Sequence, residues 1–389
     1  MTNIVSLSEC CEFIRDSTHG SPARTPNGIP VLSAAHVRDG RLHFDTDRFT
    51  SQQELETFQK RLKPSCGDVL LTIVGTIGRT AIVIRDRPLV FQRSVCVLRP
   101  KNNAVIPLYL RLVLESEAVK SQFLVEKHEV AQAGIYLEAL NEIKIPLPSV
   151  PEQQRISQLL DRADQLRRTR RYALELTDTF LLAAFLEFFG CARDLRWDTS
   201  TLGELTLDFT YGTSTKCSDN SALHPVLRIP NVIQGAIDTT NLKFGELSPN
   251  EQKKLRLAHG DLLFVRTNGN PDYVGRCAVF DLEAELYFAS YLIRARTKQK
   301  LIVPVFLSAY LRTPDGRRSM QPSIRTTAGQ YNVSVEGLRD VQVIVPPLPL
   351  QQKFAALVQR VERLRAVQRE ALRQAEHLFA SLLHRAFSC

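Results

Sequence analysis

The side chains of this sequence with the most definite chemistry are arginines and amides in loops beside short β-branched runs. An arginine can donate two hydrogen bonds to a guanine edge, and an Asn or Gln side chain can pair with adenine in a similar way. The chain of 389 residues carries a formal charge of +9. That excess favours a polyanionic partner such as nucleic acid, although many basic proteins bind none.

Catalytic chemistry has weaker support in the sequence. The tetrapeptide Asn270-Pro271-Asp272-Tyr273 resembles the motif Asn-Pro-Pro-Tyr/Phe, with which adenine methyltransferases hold a flipped base. However, Asp272 replaces the second proline, the chain lacks a Gly-rich turn for a nucleoside cofactor, and the corresponding first-half loop has nothing similar. There is no phosphate-binding loop motif, and the histidines lack metal-ligand spacing. We therefore expect no catalytic residue, no metal and no cofactor in this chain.

Length and composition predict a protein of two or more domains. No run of apolar residues is long enough to suggest a transmembrane helix, and the first residues do not resemble a signal peptide. The eight cysteines form no C-x-x-C pair, and we expect them to be reduced thiols in a cytoplasmic protein.

An internal repeat organises the chain. Gly67-Asp68-Val69-Leu70 matches Gly260-Asp261-Leu262-Leu263, and Gly78-Arg79 matches Gly275-Arg276. A proline-rich stretch with a glutamine pair begins at Pro148 and again at Pro346, about 200 residues later. The short β-branched runs in each half, with Gly, Pro and Asn signals between them, predict a mixed α+β module.

Each module is followed by a predicted long helix of roughly 35 residues, which would be on the order of 50 Å long. Apolar residues recur at steps of three and four, including Leu166 in the first helix and Leu364 in the second. Two such stripes predict either an antiparallel pair or two independent helices that each cover a module, and the pair is favoured because the stripes run the full length. Replacing Leu166 and Leu364 with Asp is then expected to splay the pair, because each change would bury a charge.

The duplicated closing motif carries a family resemblance. Ile143 to Ile156 reads I-x-I-P-L-P-S-V-P-E-Q-Q-R-I, and Val341 to Phe354 reads V-x-V-I-V-P-P-L-P-L-Q-Q-K-F. With the Gly-Asp strands and the loops that follow them, these stretches resemble the specificity subunit of type I restriction–modification systems over essentially the whole chain. One departure is Leu350, where the first half has Glu152. The second Gly-rich loop is also longer, which would suit a module that reads a different sequence.

The resemblance implies an α+β fold with two similar target recognition domains, 1–148 and 191–346. They would be separated by spacer helices, 149–190 and 347–389, that pack as an antiparallel coiled coil with pseudo-twofold symmetry. It further implies that each domain reads one half of a split site in double-stranded DNA. The helices would set the gap and dock two modification subunits, which bind S-adenosylmethionine, and motor–nuclease restriction subunits would join them.

The residues expected to contact DNA are polar or basic, lie in predicted loops and follow strand ends. In the first half they are Thr76, Arg79, Gln92, Arg93, Gln132 and Tyr136, and in the second half Arg266, Asn268, Asn270, Tyr273, Arg276, Arg325, Gln330 and Tyr331. Each could instead be solvated or packed, and Gly78 and Gly275 could serve turn geometry. The basic cluster Arg167, Arg168, Arg170 and Arg171 is either a solvated helix face or a stripe that faces DNA or a modification subunit.

Overall fold

The computed structural model describes residues 3–17, 21–125, 134–190, 196–233, 235–327 and 329–388. The chain divides into two compact units. Unit 1 comprises residues 1–172 and 368–389, and unit 2 comprises residues 173–367. Each unit mixes helices and strands, and each contains a portion of both long helices.

Unit 1 consists of short strands and helices followed by the first part of a long helix. Its strands are β1 (Asn3–Ser6), β2 (Cys11–Asp16), β3 (Ile29–Leu32), β4 (Val37–Arg38), β5 (Arg41–Leu42), β6 (Phe49–Thr50), β7 (Val69–Thr72), β8 (Thr80–Ile82), β9 (Val90–Phe91), β10 (Val95–Pro100) and β11 (Lys144–Leu147). Its helices are α1 (Leu7–Cys10), α2 (Gln52–Arg61), α3 (Pro107–Leu114), α4 (Glu117–Val125) and α5 (Leu137–Glu142), and α6 (Val150–Phe189) begins in this unit.

The main sheet of unit 1 is antiparallel and has the strand order β2-β10-β7-β8. A second sheet, β6-β3-β9, and the pairs β4-β5 and β1-β11 complete the module. Strand β7 is buried along its whole length, and its apolar residues therefore face both core clusters of the unit. The β1-β11 pair joins the first residues of the module to the strand that leads into α6.

Unit 2 contains the remaining elements. Its strands are β12 (Thr199–Thr201), β13 (Thr206–Tyr211), β14 (His224–Leu227), β15 (Val232–Ile233), β16 (Ala236–Ile237), β17 (Lys243–Gly245), β18 (Leu262–Val265), β19 (Thr267–Asn268), β20 (Cys277–Val279), β21 (Tyr287–Phe288), β22 (Leu292–Thr297), β23 (Ile324–Thr327), β24 (Gln330–Val333) and β25 (Gln342–Ile344). Its helices are α7 (Pro249–Leu255), α8 (Pro304–Arg312), α9 (Pro314–Met320) and α10 (Val335–Arg339), and α11 (Leu348–Phe387) begins in this unit.

The sheets of unit 2 repeat the strand orders of unit 1. The main sheet is β13-β22-β18-β20, the second is β17-β14-β21, and β15-β16 and β12-β25 are two-stranded. Unit 2 also has a three-stranded sheet, β19-β24-β23, at the edge of the module. In the described part of unit 1, the corresponding backbone makes an isolated bridge between Val74 and Gly134.

Aromatic side chains near the helix ends tie the long helices to the modules. In unit 1, the rings of Phe387 in α11 and Tyr109 in α3 pack edge to face with centroids 5.6 Å apart. In unit 2, the centroid of Phe189 in α6 is 4.8 Å from that of Phe306 in α8 and 5.3 Å from that of Phe354 in α11. All five rings are almost fully buried, so each module core includes residues from both long helices.

The predicted apolar seam is buried only in part. Leu160 and Val361 are buried, but Leu166 is 41% exposed and Leu364 is 62% exposed. The expectation that Asp at positions 166 and 364 would bury a charge was therefore wrong. Phe185 and Phe189 of α6 and Phe354, Phe379 and Phe387 of α11 are buried instead, because larger rings against the modules remove more apolar surface from water.

The basic cluster of α6 is engaged within unit 1. Arg167 Nε donates to Asp164 at 2.6 Å, and its guanidinium lies 3.8 Å from the ring centroid of Phe379. Arg170 Nη1 donates to Gln368 Oε1 at 3.0 Å, and Arg171 Nη2 pairs with Glu376 at 3.0 Å. These three arginines are therefore not fully solvated, because they contact Asp164 of α6 or residues of α11. A stripe that faces DNA or a modification subunit stays a prediction.

The described cysteines, Cys10, Cys11, Cys66, Cys96, Cys217 and Cys277, are all free thiols. Burial raises the pKa of Cys10 to about 11 and that of Cys11 to about 12, so both stay protonated near neutral pH. Across the described residues, no helix is long and apolar enough to cross a membrane.

Candidate nucleic-acid interface

In unit 1 three segments meet at one end of the main sheet. The N–H of Ile73, just after β7, donates to the carbonyl of Ser94 at 3.0 Å, and its own carbonyl accepts from the N–H of Ile135 at 3.0 Å. Ile73 thus joins the turn after β9 and the segment before α5 to the start of the 74–79 loop. The sequence predicted contact residues in all three segments, and the fold places these segments side by side.

The predicted side chains at this edge differ in exposure and in their hydrogen bonds. Thr76, Arg79 and Arg93 are exposed, and none has a side-chain hydrogen bond or ion pair with another described residue. Gln92 is half-buried, and its main-chain N–H donates to the carbonyl of Leu32 at 2.8 Å. Tyr136 is 59% exposed and does not pack into the core. Gln132 lies outside the described residues.

The 74–79 loop depends on a glycine. Gly78 has a φ of +87° and donates its N–H to the carbonyl of Thr72 at 2.9 Å. Gly275 has a φ of +74°, and its N–H donates to Val265 O at 2.8 Å. A side chain at Gly275 would also meet Met320 Cγ at 2.7 Å. Both glycines therefore serve turn geometry, and each positions the arginine that follows it.

In unit 2 the corresponding edge is built on the β19-β24-β23 sheet. Asn268 is opposite Tyr331, and Arg325 is opposite Asn332 in this sheet. Gln330 accepts a hydrogen bond from Thr267 Oγ1 at 3.0 Å. Four predicted residues, Asn268, Arg325, Gln330 and Tyr331, therefore share one small sheet. Arg325 and Gln330 are exposed, whereas Asn268 and Tyr331 are half-buried.

Two arginines of this edge are held in place by aromatic rings. The guanidinium of Arg266 lies 4.9 Å from the ring centroid of Tyr211 and donates to Ser290 O at 3.2 Å. Arg276 lies 4.0 Å from the ring centroid of Tyr273, and its Nε donates to Asp272 O at 2.8 Å. Because stacking and hydrogen bonding restrict these guanidinium groups, their remaining donors have a defined direction.

The Asn-Pro tetrapeptide forms a closed turn. Asn270 Oδ1 accepts from the N–H of Asp272 at 2.9 Å, and the N–H of Asn270 donates to Asn268 Oδ1 at 2.9 Å. The Asn270 amide oxygen is therefore engaged in local turn geometry. Arg317 donates to the carbonyl of Val274 at 3.0 Å and so fixes the loop from behind.

Two aromatic residues at this edge were not predicted. Tyr211 lies beneath Arg266 and accepts a hydrogen bond from the N–H of Val335 at 3.1 Å. Tyr291 is 54% exposed, and its carbonyl accepts from the N–H of Arg266 at 2.9 Å. Alignment of the two halves places Tyr291 at the position of Ser94, which directly follows the predicted residues Gln92 and Arg93.

An ion pair between a buried aspartate and a partly exposed arginine supports the main sheet in each unit. Asp68 of the Gly-Asp motif accepts from Arg99 Nε and Nη2, both at 2.8 Å, and Asp261 accepts from Arg296 Nε at 2.9 Å. The hydrogen bond from each arginine to its aspartate raises the arginine pKa. The motif therefore fixes neighbouring strands, β7 to β10 and β18 to β22.

The glutamines of the repeated closing motif serve the same structural purpose in each unit. Gln153 Oε1 accepts from the N–H of Ile106 at 2.9 Å, and its Nε2 donates to the carbonyls of Ala104 and Pro148, each at 2.9 Å. Gln351 makes the matching bonds to Val303, Leu301 and Pro346, at 2.9, 3.2 and 2.7 Å respectively.

Both of these glutamines are fully buried, whereas the next residues, Gln154 and Gln352, are exposed. Ile106 and Val303 are the N-cap residues of α3 and α8, so each glutamine joins the start of a long helix to the start of a module helix. Across the described residues, no group of three or more His, Cys, Asp or Glu side chains is placed to hold a metal ion.

Comparison with known proteins gives this edge a family context. Residues 2–176 match the family model described as type I restriction modification DNA specificity domain. The specificity subunit of the type I restriction enzyme EcoKI from Escherichia coli K12 is 34% identical over 186 residues, which are 45% of this chain and 39% of that protein. The StySPI specificity subunit from Salmonella potsdam is 24% identical over 392 residues, which cover 92% of this chain and 81% of that protein.

The fold is also shared with a solved structure. The crystal structure of the type I restriction-modification S subunit from M. genitalium aligns with a TM-score of 0.58 and 15% identity, covering 100% of this chain and 96% of that one. The resemblance predicted from the repeated motifs is therefore confirmed: the chain is similar to type I restriction specificity subunits.

Proposed function

Residues 2–176 belong to the type I restriction modification DNA specificity domain family, and on that premise we propose that the chain is the DNA sequence-specificity subunit of a type I restriction–modification complex. The observation that carries the proposal is the duplication of one scaffold under two different edges. Both units have the same strand order, the same ion pair between an arginine and the aspartate of the Gly-Asp motif, and the same buried glutamine. A protein that reads a split site needs such a repeat, because the frame is common and the target sequences differ.

In this proposal residues 1–148 and 191–346 are the two target recognition domains, and each reads one half of a bipartite site in double-stranded DNA. The predicted contact residues stay proposals, and Tyr211 and Tyr291 join them. The exposed arginines Arg79, Arg93 and Arg325 can contact phosphates or guanine edges. The stacked Arg266 and Arg276 suit base edges of fixed position.

The helices of 149–190 and 347–389 act as an antiparallel spacer with pseudo-twofold symmetry. Support comes from contacts inside unit 1, where Arg167 of α6 lies against Phe379 of α11 and Arg171 of α6 pairs with Glu376 of α11. Between these two contacts the residue number on α11 falls as that on α6 rises, as expected for antiparallel helices.

The chain itself supplies recognition without catalysis. Two modification subunits that bind S-adenosylmethionine dock on the helices and transfer the methyl group, motor–nuclease subunits join for restriction, and the complex acts in the cytoplasm. The Asn270 turn supports the absence of methyl transfer by this chain, because the Asn270 amide oxygen already accepts a hydrogen bond within the loop.

Methylome sequencing tests the proposal directly. Cells that carry this chain with its modification subunit should show methylated adenines or cytosines in one bipartite motif with a fixed gap, and the signal should vanish when either gene is deleted. A continuous motif, or methyl transfer by the purified chain alone, would instead support a stand-alone DNA-modifying enzyme with duplicated domains.

A further inference from the structure

Unit 1 contains a cavity of about 600 Å³ that none of the recognition residues lines. Its walls come from the β5 region, the segment after β8, α3 and the first part of α6, the last of which contributes Asp161, Gln165 and Arg168. The cavity therefore borders the spacer helix and not the loop edge.

The lining is strongly basic. Arg41, Arg85, Arg87 and Arg168 all line the cavity. The side chains of Arg41 and Arg85 are exposed, and neither has a hydrogen bond or ion pair with another described residue. Asp161 is the carboxylate in the lining, and it already accepts from Gln165 at 2.6 Å and lies 3.8 Å from Arg168. The cavity therefore holds positive charge that the described chain does not neutralise.

Apolar side chains stand beside these arginines. Ile84 is 73% exposed, and Phe44 is 37% exposed with Arg87 packed 5.3 Å from its ring centroid. A large aliphatic side chain so exposed next to cationic groups suits a ligand with both a carboxylate and an apolar side chain. A phosphate backbone would need the arginines but not these apolar groups.

The position of the cavity also favours a protein segment over DNA as its ligand. The β7-β8 hairpin has the recognition loop 74–79 at one end, and the cavity residues 82–87 follow β8 towards the other end. At that far end, the N–H of Gly67 donates to Val83 O at 2.8 Å, and the N–H of Cys66 donates to Asp86 Oδ1 at 2.7 Å. DNA held by the loop edge would lie away from this cavity.

Unit 2 supplies an internal comparison. The main-chain bond from His43 to His36 in unit 1 matches the bond from Asp238 to Asn231 in unit 2. The bond from Val83 to Asp68 likewise matches the bond from Phe280 to Asp261. These matched bonds show which residues of unit 2 occupy the same positions as the cavity residues of unit 1. The residues of unit 2 that correspond to Arg41, Arg85, Arg87 and Arg168 are Ala236, Leu282, Ala284 and Ala366.

Because unit 2 keeps the same strand order with four uncharged residues there, the fold does not require these arginines. The geometry points to a docking site in unit 1 for an acidic segment of one modification subunit, with carboxylates against Arg41 and Arg85 and an apolar side chain against Ile84 and Phe44. This inference rests on the proposed function. The two modification subunits would then bind the chain with different contacts, since the one that docks at unit 2 meets no such arginine cluster.

The test uses the full chain and its co-expressed modification subunit. Native mass spectrometry and sedimentation would follow assembly of wild type, of R85E/R87E and of the matched control K253E/K254E. Lys253 and Lys254 are exposed residues of α7, so the control changes the charge by the same amount. Unfolding midpoints would show that all three proteins fold.

We expect R85E/R87E to bind one modification subunit about tenfold more weakly at about 0.15 M salt, while the control assembles like wild type. Equal assembly of all three proteins, or equal weakening of both variants, would overturn the docking site but leave the proposed function standing. Intact assembly of R85E/R87E with weaker duplex binding would mean that DNA occupies the cavity. If wild type bound no modification subunit, the proposed function would fail, and the docking site with it.

Discussion

After β7 in unit 1 the chain passes through a loop whose predicted contact residues, Thr76 and Arg79, have exposed side chains. After β18 in unit 2 it pairs with β24, closes a hydrogen-bonded turn at Asn270 and stacks Arg276 on Tyr273. Beneath both edges lie the same strand order and the same aspartate–arginine pair. The scaffold is therefore independent of the edge it presents. In the proposed function, one unit could then change its target without change in the other.

The interior of the two units also differs beside the long helices. In unit 1, Arg111 and Asp164 form an ion pair at 3.0 Å with side-chain exposures of 2% and 0%. In unit 2 the position of Arg111 is Ser308, and the position of Asp164 is Glu362, which pairs with Arg365 at 2.9 Å and is 32% exposed. Both arginines are nearly buried, with side-chain exposures of 2% and 6%, but the carboxylate is fully buried only in unit 1.

Removal of that buried carboxylate should have a large effect. Asp164→Ala leaves the Arg111 guanidinium buried with Glu115 as its remaining ion-pair partner, and should lower the free energy of unfolding by about 3–5 kcal/mol. Glu362→Ala should cost less, about 1–2 kcal/mol, because the carboxylate that it removes is already partly hydrated. Urea unfolding measures both variants, and equal losses would contradict the difference in burial.

The buried glutamines should give equal effects in the two units. Gln153→Leu and Gln351→Leu each leave one helix N–H and two carbonyls without their partner, and we expect a loss of about 2–3 kcal/mol in the free energy of unfolding. Gln154→Leu and Gln352→Leu are the matched controls, since both side chains are exposed. Losses as large in the controls would show that the glutamine pair acts through something other than these hydrogen bonds.

The sequence predicts the scaffold well because its signals are local. Gly67-Asp68, Gly260-Asp261 and the closing motifs recur in order, and the predicted long helices appear as α6 and α11. The helix faces could not be assigned, because α6 has apolar residues on several sides and only the tertiary fold selects Phe185 over Leu166 for burial. Tyr211 was missed since its contact with Arg266 joins residues far apart in the chain.

Recognition substitutions should separate the two units. In the proposed function, Arg79→Ala should relax one half-site and Arg325→Ala the other, each by about 1–3 kcal/mol of discrimination at one base pair. Competition between duplexes with a single altered base pair measures this effect for the assembled complex. Relaxation of both half-sites by one substitution would contradict independent edges, and uniform weakening on all duplexes would assign that arginine to a phosphate.

The smallest effect is expected from the exposed leucines of the helices. Leu166 and Leu364 are 41% and 62% exposed, so Leu166→Asp and Leu364→Asp should change the free energy of unfolding by less than about 1 kcal/mol. Leu160→Asp and Phe354→Asp place a charge at fully buried positions of the same helices and should abolish folding of the corresponding unit. If Leu364→Asp unfolded the protein as Phe354→Asp should, the apolar stripe would be buried along its whole length. Packing along that stripe, and not the aromatic cluster alone, would then hold α11 in unit 2.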